Sequence, residues 1–380
     1  MQFDAIVIGA GISGAAAAYE LARHRRVLLL EREARPGYHS TGRSAALYTP
    51  NYGNATVRAL VRIGHGFLER PPSGFADHPL LAPRGALTIA SFEQAGMLDA
   101  VLALSGSGHE IVEISPQRAL TLAPVLRPAA VARSAYEPGV ADIEVAALHQ
   151  GFLKGFKTRG GTLATDAEAR RIEQRTGAWR IGAGDIEATA PILVNAAGAW
   201  ADEVAALAGV PPVGLVPKRR TAIIVESGEQ DPRRWPAIDD AGNDHYIKPD
   251  GGRLMASPGD ATPSPPCDAQ PDELDVALLV DWLERTTTLE VARIPRRWAG
   301  LRSFVADDSP VMGEDPAAPG FWWLAGQGGY GIMLAAPLAR ALASLIETGS
   351  LPEDFAPAGM TPAALDPRRP ALSRESPRLA

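Results

Sequence analysis

The spacing of apolar residues changes along this chain. Residues 3–8, FDAIVI, are a short apolar run that stops at Gly9, as expected of a strand buried on both faces. An Ala-rich segment, 11–24, reads as a helix with a basic end, and VLLLE (27–31) reads as a second buried strand. Together they predict a βαβ unit. Helices are predicted over 55–69, 92–104, 116–123 and 272–287. Another is predicted over 144–157, where Val145, Leu148, Phe152, Leu153 and Phe156 share one side. Strands are predicted at 85–90, 162–165, 168–174, 178–183, 213–226, 245–256 and 293–304.

The strand-then-glycine theme returns twice, in ILVNAAGAW (192–200) and in FWWLAGQGGYGIMLAAPLARALASLIE (321–347). Nucleotide-type signals therefore stand at the start, middle and end of the chain, with segments of different character between them. The expected fold is α/β, α+β overall: a Rossmann-like nucleotide domain with an inserted antiparallel-sheet substrate domain. The first is assigned residues 1–78, 140–210 and 305–360, and the second 79–139 and 211–304. Residues 361–380 form a C-terminal tail, and the chain beyond Pro352, rich in Pro and Arg, is expected to be a loosely ordered strap.

Composition narrows the function. The 380 residues are 46% hydrophobic and 21% charged, the balance of an ordinary globular protein with ample core. A net charge of −7 argues against nucleic acid as a partner. The single cysteine, Cys267, cannot form an internal disulfide and is read as a spectator thiol. No apolar run reaches the roughly 18 residues of a membrane span, and the first 23 residues lack the basic start of a signal peptide. A cytoplasmic protein without an integral membrane segment is expected. No metal ligands are singled out.

GAGISG (9–14) follows a strand and opens a helix. Gly9 permits the tight turn, Gly11 lets backbone approach a pyrophosphate, and Gly14 lets helix pack on strand, with Ile12 and Ser13 between them. The helix N-terminus offers free N–H groups to phosphate. Glu31, 20 residues beyond Gly11 and followed by Arg32, is placed to accept from a ribose. Three features favour FAD over NAD: the fingerprint opens the chain, the chain returns near its end to a glycine-rich junction at Gly328, Gly329, Tyr330, Gly331 and Ile332, and no second fingerprint lies between residues 80 and 300. YHSTGRSAALYTPNYG (38–53), rich in small donors, is then expected to wrap the rest of a long cofactor. Ser40, Thr41 and Ser44 supply hydroxyls, and Arg43 either neutralises phosphate or pins the loop.

IVIGAGISGAAAAYELA, LLEREARPGYHSTGRSAALYT, LVNAAGAWADEVAALAGV, PKRRTAI, WAGLRSFVADDSPV and GQGGYGI together resemble the D-amino-acid oxidase/dehydrogenase family of FAD enzymes, and within it the FAD-dependent D-arginine dehydrogenases of bacteria. The resemblance runs to about residue 347. It implies that Arg302 pairs with a substrate carboxylate and Arg220 assists it. It implies that Tyr52 and Tyr246 contact substrate, that Gly329 receives the substrate amine, and that Ala45, Ala46, Ala197 and Gly198 lie close to the cofactor. It further implies non-covalent FAD, hydride transfer from the substrate Cα to flavin N5, release of a 2-oxo acid and ammonia, and a quinone or dye-like acceptor in preference to dioxygen.

The side-chain pocket implied by the resemblance comprises Leu47, Thr49, Ala86 and Met333. Where the D-arginine enzymes carry His, Glu and Gln, this chain has Leu47, Ala86 and Met333. A guanidinium without its carboxylate loses hydration uncompensated, so neutral, apolar D-amino acids are the expected substrates. A relocated acid, such as Glu314 or Asp244, is the alternative. Rival readings are a glycine- or sarcosine-type amine oxidase, a 2-hydroxy-acid oxidoreductase, a nicotinamide dehydrogenase, and a non-catalytic flavin-binding protein.

Overall fold

A computed structural model describes residues 1–106, 108–242 and 245–373. A six-stranded sheet forms around the fingerprint. Strands Ala5–Ile8, Val27–Leu30, Thr162–Ala164, Ile192–Asn195 and Phe321–Ala325 run parallel, and Val311–Glu314 closes one edge antiparallel to Phe321–Ala325. The first two strands are completely buried, which is why they read as unbroken apolar runs. Helices Ile12–Leu21, Val145–Thr158 and Gly331–Thr348 cover one face, and the three-stranded meander Ala169–Arg175, Ala178–Ala183 and Ile186–Ala190 lies in the core of the other. Gly331–Thr348 has the length and apolar composition of a membrane span, but its apolar face packs on Ile12–Leu21 and Ala55–Glu69.

A second, eight-stranded sheet is built from Ala86–Ala90, Val112–Ile114, Arg133–Glu137, Val216–Val225, Ala237–Asp240, Tyr246–Asp250, Arg253–Ser257 and Arg296–Phe304. It is antiparallel except where Ala86–Ala90 runs parallel to Ala237–Asp240. One face, with Leu87, Ile238 and Ile247 at most 1% exposed, is sealed by the helix Glu273–Thr286. Short strands Leu47–Tyr48, Leu81–Pro83 and Ala141–Ile143 form a small sheet of their own.

Three expectations need correction. The helix expected over 92–104 is reduced to a 3₁₀ turn and Leu98–Leu102. The single strand expected over 245–256 is a hairpin, because Gly251 and Gly252 take positive φ (57° and 85°) and turn the chain. The chain after Pro352 is no loose strap. Phe355 and Leu365 are fully buried, Arg369 holds Asp307 through two nitrogens at 2.7 and 2.8 Å, and the Leu365 carbonyl accepts the Met312 N–H at 2.8 Å. A composition rich in Pro and Arg suggested disorder, but here Pro362 and Pro370 start 3₁₀ turns and Arg368 and Arg369 are ion-paired.

Candidate active site

The fingerprint turns where its glycines require. Gly9 has φ 97°, and a Cβ there would stand 2.6 Å from the Ala196 carbonyl oxygen. A Cβ on Gly14 would collide with the Gly9 carbonyl oxygen. The helix from Ile12 has no side-chain cap of its own; the Thr41 hydroxyl accepts the Ile12 N–H at 3.0 Å. Glu31, 7% exposed, accepts the Ala10 N–H through Oε2 and the Glu33 N–H through Oε1, both at 2.9 Å. Both bonds hold the carboxylate at the mouth of the turn and leave lone pairs on both oxygens.

An elongated cleft follows from this turn. It is lined by the fingerprint, Glu31 and Arg32, the 37–45 loop, the 196–200 turn, Arg220, Tyr246, the 300–303 strand and the 324–332 junction. Sequence segments far apart in the chain thus meet on one continuous surface. Ser40 donates to the Leu301 carbonyl at 2.7 Å. Ser44 Oγ accepts the Ala46 N–H at 3.1 Å, supporting a residue at φ 54°. Arg43 pins the loop: it donates to the carbonyls of Ala269 and Ala299 and to Asp268, leaving its charge already paired. Of the two roles open to Arg43, the structure shows this one.

His39, in the cleft wall, and His149, beneath the turn, were not singled out from sequence. His39 sits 4.6 Å from the Trp200 ring and bonds Glu33 through Nε2 at 2.9 Å, while Arg32 lies over the same Trp200 ring at 4.7 Å. His149, buried in the helix beneath, donates from Nε2 to the Ala10 carbonyl at 2.9 Å; burial lowers its pKa and keeps the ring neutral. Only the written adjacency of His39 to Ser40 could have flagged the first, and nothing local could have flagged the second.

At the far end of the cleft the two arginines converge. Arg302 is surrounded by Tyr246, Tyr52 and Tyr330, and donates to the Tyr52 hydroxyl. Burial opposes its charge, but these hydroxyls more than offset that, and its pKa is raised. Arg220 donates from Nε to the Asp260 carbonyl at 2.7 Å; burial, then the charge of Arg302, lowers its pKa. Tyr52 meets Tyr330 edge-on at 5.2 Å, and Gly329 lies against the Arg302 guanidinium. Two partly buried guanidiniums, with Asp260 Oδ1 at 3.9 Å from Arg220 and, among the described residues, no carboxylate paired with Arg302, are suited to receive an anion such as a substrate carboxylate.

The pairing register places these groups on one face. Arg220 is across from Gly300, Tyr246 across from Asp239, Asp239 beside Thr88, and Ala86 across from Glu137. Directly paired residues share a face, and so do residues two apart. The face opposite the sealed one therefore carries Arg302, Arg220, Tyr246, Lys248, Asp239, Thr88, Ala86 and Glu137. Ala45 lies over it, since Lys248 Nζ donates to its carbonyl at 2.9 Å. Thr49 donates its N–H to Met333 sulfur at 3.3 Å, and Leu47 is across from Asp142. Glu314 is not near: it is exposed on the edge strand of the other sheet, accepting the Gly320 N–H. Asp244 lies outside the described residues.

The cleft fits FAD. It is long, it begins at a dinucleotide turn with an acid at its mouth, and two of its buried polar atoms, His39 Nδ1 and Gln327 Nε2, have no partner among the described residues. Fold and cleft together define a flavin-dependent oxidoreductase of the two-sheet type. A family model described as FAD dependent oxidoreductase (DAO) matches residues 4–345, and the chain belongs to that family, with FAD as its cofactor. Mitochondrial sarcosine dehydrogenase of Mus musculus is 25% identical over 93% of this chain, which spans 40% of that protein's length. Glycine oxidase of Geobacillus kaustophilus (strain HTA426) is 22% identical, with 95% of this chain and 97% of that protein covered. The crystal structure of L-proline dehydrogenase from P. horikoshii superposes with a TM-score of 0.84 at 20% identity, covering 97% of both chains.

Proposed function

We propose that this protein oxidises the carbon–nitrogen bond of an α-amino acid of the D series, releasing an imino acid that hydrolyses to a 2-oxo acid and ammonia. The observation that carries this reading is the paired guanidinium site of Arg302 and Arg220 at the end of a flavin cleft. FAD, when bound, supplies the two-electron acceptor. Arg302 and Arg220 take the substrate carboxylate, and Tyr52 and Tyr246 bracket it. The Gly329 carbonyl is assigned to accept from the amine. No side-chain base is required of the protein, because the amine lone pair supports departure of the Cα hydrogen with its electron pair. The protein's part is to fix orientation.

The D configuration rests on the likeness of HSTGRSAA, AGLRSF and QGGYGI to the D-amino-acid enzymes, as do non-covalent FAD and an acceptor other than dioxygen. A second reading, oxidation of glycine or an N-methyl amine, is favoured by relatives named glycine oxidase and sarcosine dehydrogenase. Anaerobic mixing of the yellow protein with D- and L-amino acids, glycine and sarcosine separates them. Bleaching of the flavin band by D-amino acids alone is the expected result. Bleaching by glycine and sarcosine alone establishes the second reading, and bleaching by nothing in the panel removes both. Hydrogen peroxide formed in air at the rate of substrate loss would overturn the assignment of the acceptor.

A further inference from the structure

The apolar substrate pocket expected from Leu47, Ala86 and Met333 describes only part of the wall. One strand over from Ala86, on the same face, stands Asp239. It is in register with Tyr246 on one side and Thr88 on the other. Thr88 Oγ1 donates to its Oδ1 at 3.0 Å; among the described residues no other side chain is recorded donating to it. Lys248, two residues from Tyr246 on the neighbouring strand, is committed to Asp142 at 2.8 Å and to the Ala45 carbonyl. Tyr246, Asp239, Ala86 and Glu137 keep partial exposure on this face, while Ala90 and Ala135 further along it are packed under Leu98 and Ile111.

We propose that Asp239 selects the substrate side chain, receiving the distal ammonium or guanidinium of a basic amino acid whose carboxylate is held by Arg302 and Arg220. This rests on the reading of Arg302 and Arg220 given above. The acid absent at Ala86 is thereby supplied from the neighbouring strand.

Three observations agree. First, the geometry gives length. Three strand spacings separate the Arg220 strand from the Asp239 strand, roughly 14 Å at about 4.8 Å each. The side chains of Arg220 and Asp239 fill part of that span. A substrate with several methylenes bridges the rest, and glycine or sarcosine does not. Second, the charges around Asp239 favour a cation. Burial pushes its pKa up to about 7; the Thr88 hydrogen bond works the other way, and the neighbouring Asp240 and Glu137 add to the rise. Asp240 is engaged with His245 at 3.0 Å, and Glu137 accepts from Asn51 at 2.9 Å. A carboxyl placed among acids, with no cation paired to it among the described residues, gains most from a positively charged ligand. Third, the position is one residue row from Tyr246, which lines the cleft itself.

The test separates this proposal from the reaction. Hexanoate and 6-aminohexanoate carry the carboxylate, with and without a distal ammonium, and lack the α-amine, so neither can be oxidised at Cα. Each is titrated into the holoprotein at pH 7.5, following the flavin visible band. The expected result is that 6-aminohexanoate binds at least tenfold more tightly, and that Asp239→Asn abolishes the preference while leaving hexanoate within threefold. Hexanoate binding as tightly as its amino derivative, or a preference that survives Asp239→Asn, overturns the proposal. D-lysine and D-norleucine are then compared for flavin reduction. If neither reduces the flavin although the binding preference holds, the D-amino-acid reading falls and the role of Asp239 stands. If both reduce it equally and Asp239→Asn changes nothing, the role of Asp239 falls and the reading stands.

Discussion

A Cβ built on Gly329 would stand 3.0 Å from Arg302 Nη1, so the backbone of one residue shapes the seat of the other's guanidinium. The two come from different ends of the fold: Arg302 from the eight-stranded sheet, Gly329 from the junction that enters the helix Gly331–Thr348. Gly329→Ala displaces the guanidinium without removing it. A rise in KM of roughly tenfold is expected, about 1.4 kcal/mol, with FAD content unchanged. An unaltered KM would show that Arg302 does not hold substrate.

Arg302→Lys tests the geometry of the fork separately from its charge. A lysine keeps the charge and loses the second parallel hydrogen bond, each such bond contributing about 1.5–3 kcal/mol. The expected loss in kcat/KM is roughly 10- to 100-fold, measured by stopped-flow reduction of the flavin.

Glu31→Ala strips the Ala10 and Glu33 N–H groups of their acceptor. Each unsatisfied buried donor costs about 1–3 kcal/mol, and the ribose contact is lost as well. The variant is expected to purify with less FAD and to bind added FAD at least tenfold more weakly, read by flavin fluorescence quenching.

Much of this nucleotide half was legible because its signals are local. Gly9, Gly11, Gly14 and Glu31 lie within one βαβ unit, and each answers a requirement of its own backbone. Asp239 was not legible. Its meaning depends on pairing with Tyr246 seven residues on and with Thr88 far earlier, and a register cannot be read before the strands are paired. The strands Leu47–Tyr48, Leu81–Pro83 and Ala141–Ile143 were missed for a related reason: two or three residues are too few to display a period of two. His39 looked like one more polar residue of a loop until Glu33 and Trp200 were seen around it.

Burial raises the pKa of Glu137 to about 7, although hydrogen bonding from Asn51 pulls it down. A carboxyl with a raised folded-state pKa binds its proton more tightly folded than unfolded. Its contribution is complete below the unfolded value, near 4.5, and is lost as pH rises through 7. The Tm is therefore expected to fall between pH 5 and 8, and to fall less steeply in Glu137→Gln. Parallel curves for the two proteins would remove Glu137 from this account.

Asp307 behaves oppositely. Burial opposes its charge, but the Arg369 guanidinium and the Ser309 N–H outweigh that and hold its pKa low. Its contribution is present above the unfolded carboxylate pKa and disappears as pH drops through the folded value. Arg369→Ala is expected to lower the Tm by several degrees at pH 7, with the gap to wild type narrowing below about pH 4. A constant gap in thermal melts across that range would assign the loss to packing alone.

Arg43 has a mechanical consequence. Its guanidinium ties the cofactor loop to the carbonyls of Ala269 and Ala299 and to Asp268, and its own carbonyl accepts the Trp298 indole at 3.1 Å. One side chain rivets the flavin loop to the substrate sheet. For the two halves to swing apart, at least four hydrogen bonds would have to break together, and the loop over the cofactor would be torn open with them. If the proposed site holds, substrate entry is expected to need only small movements at the cleft's end, where Tyr52, Tyr246 and Tyr330 stand, rather than a hinge between the sheets.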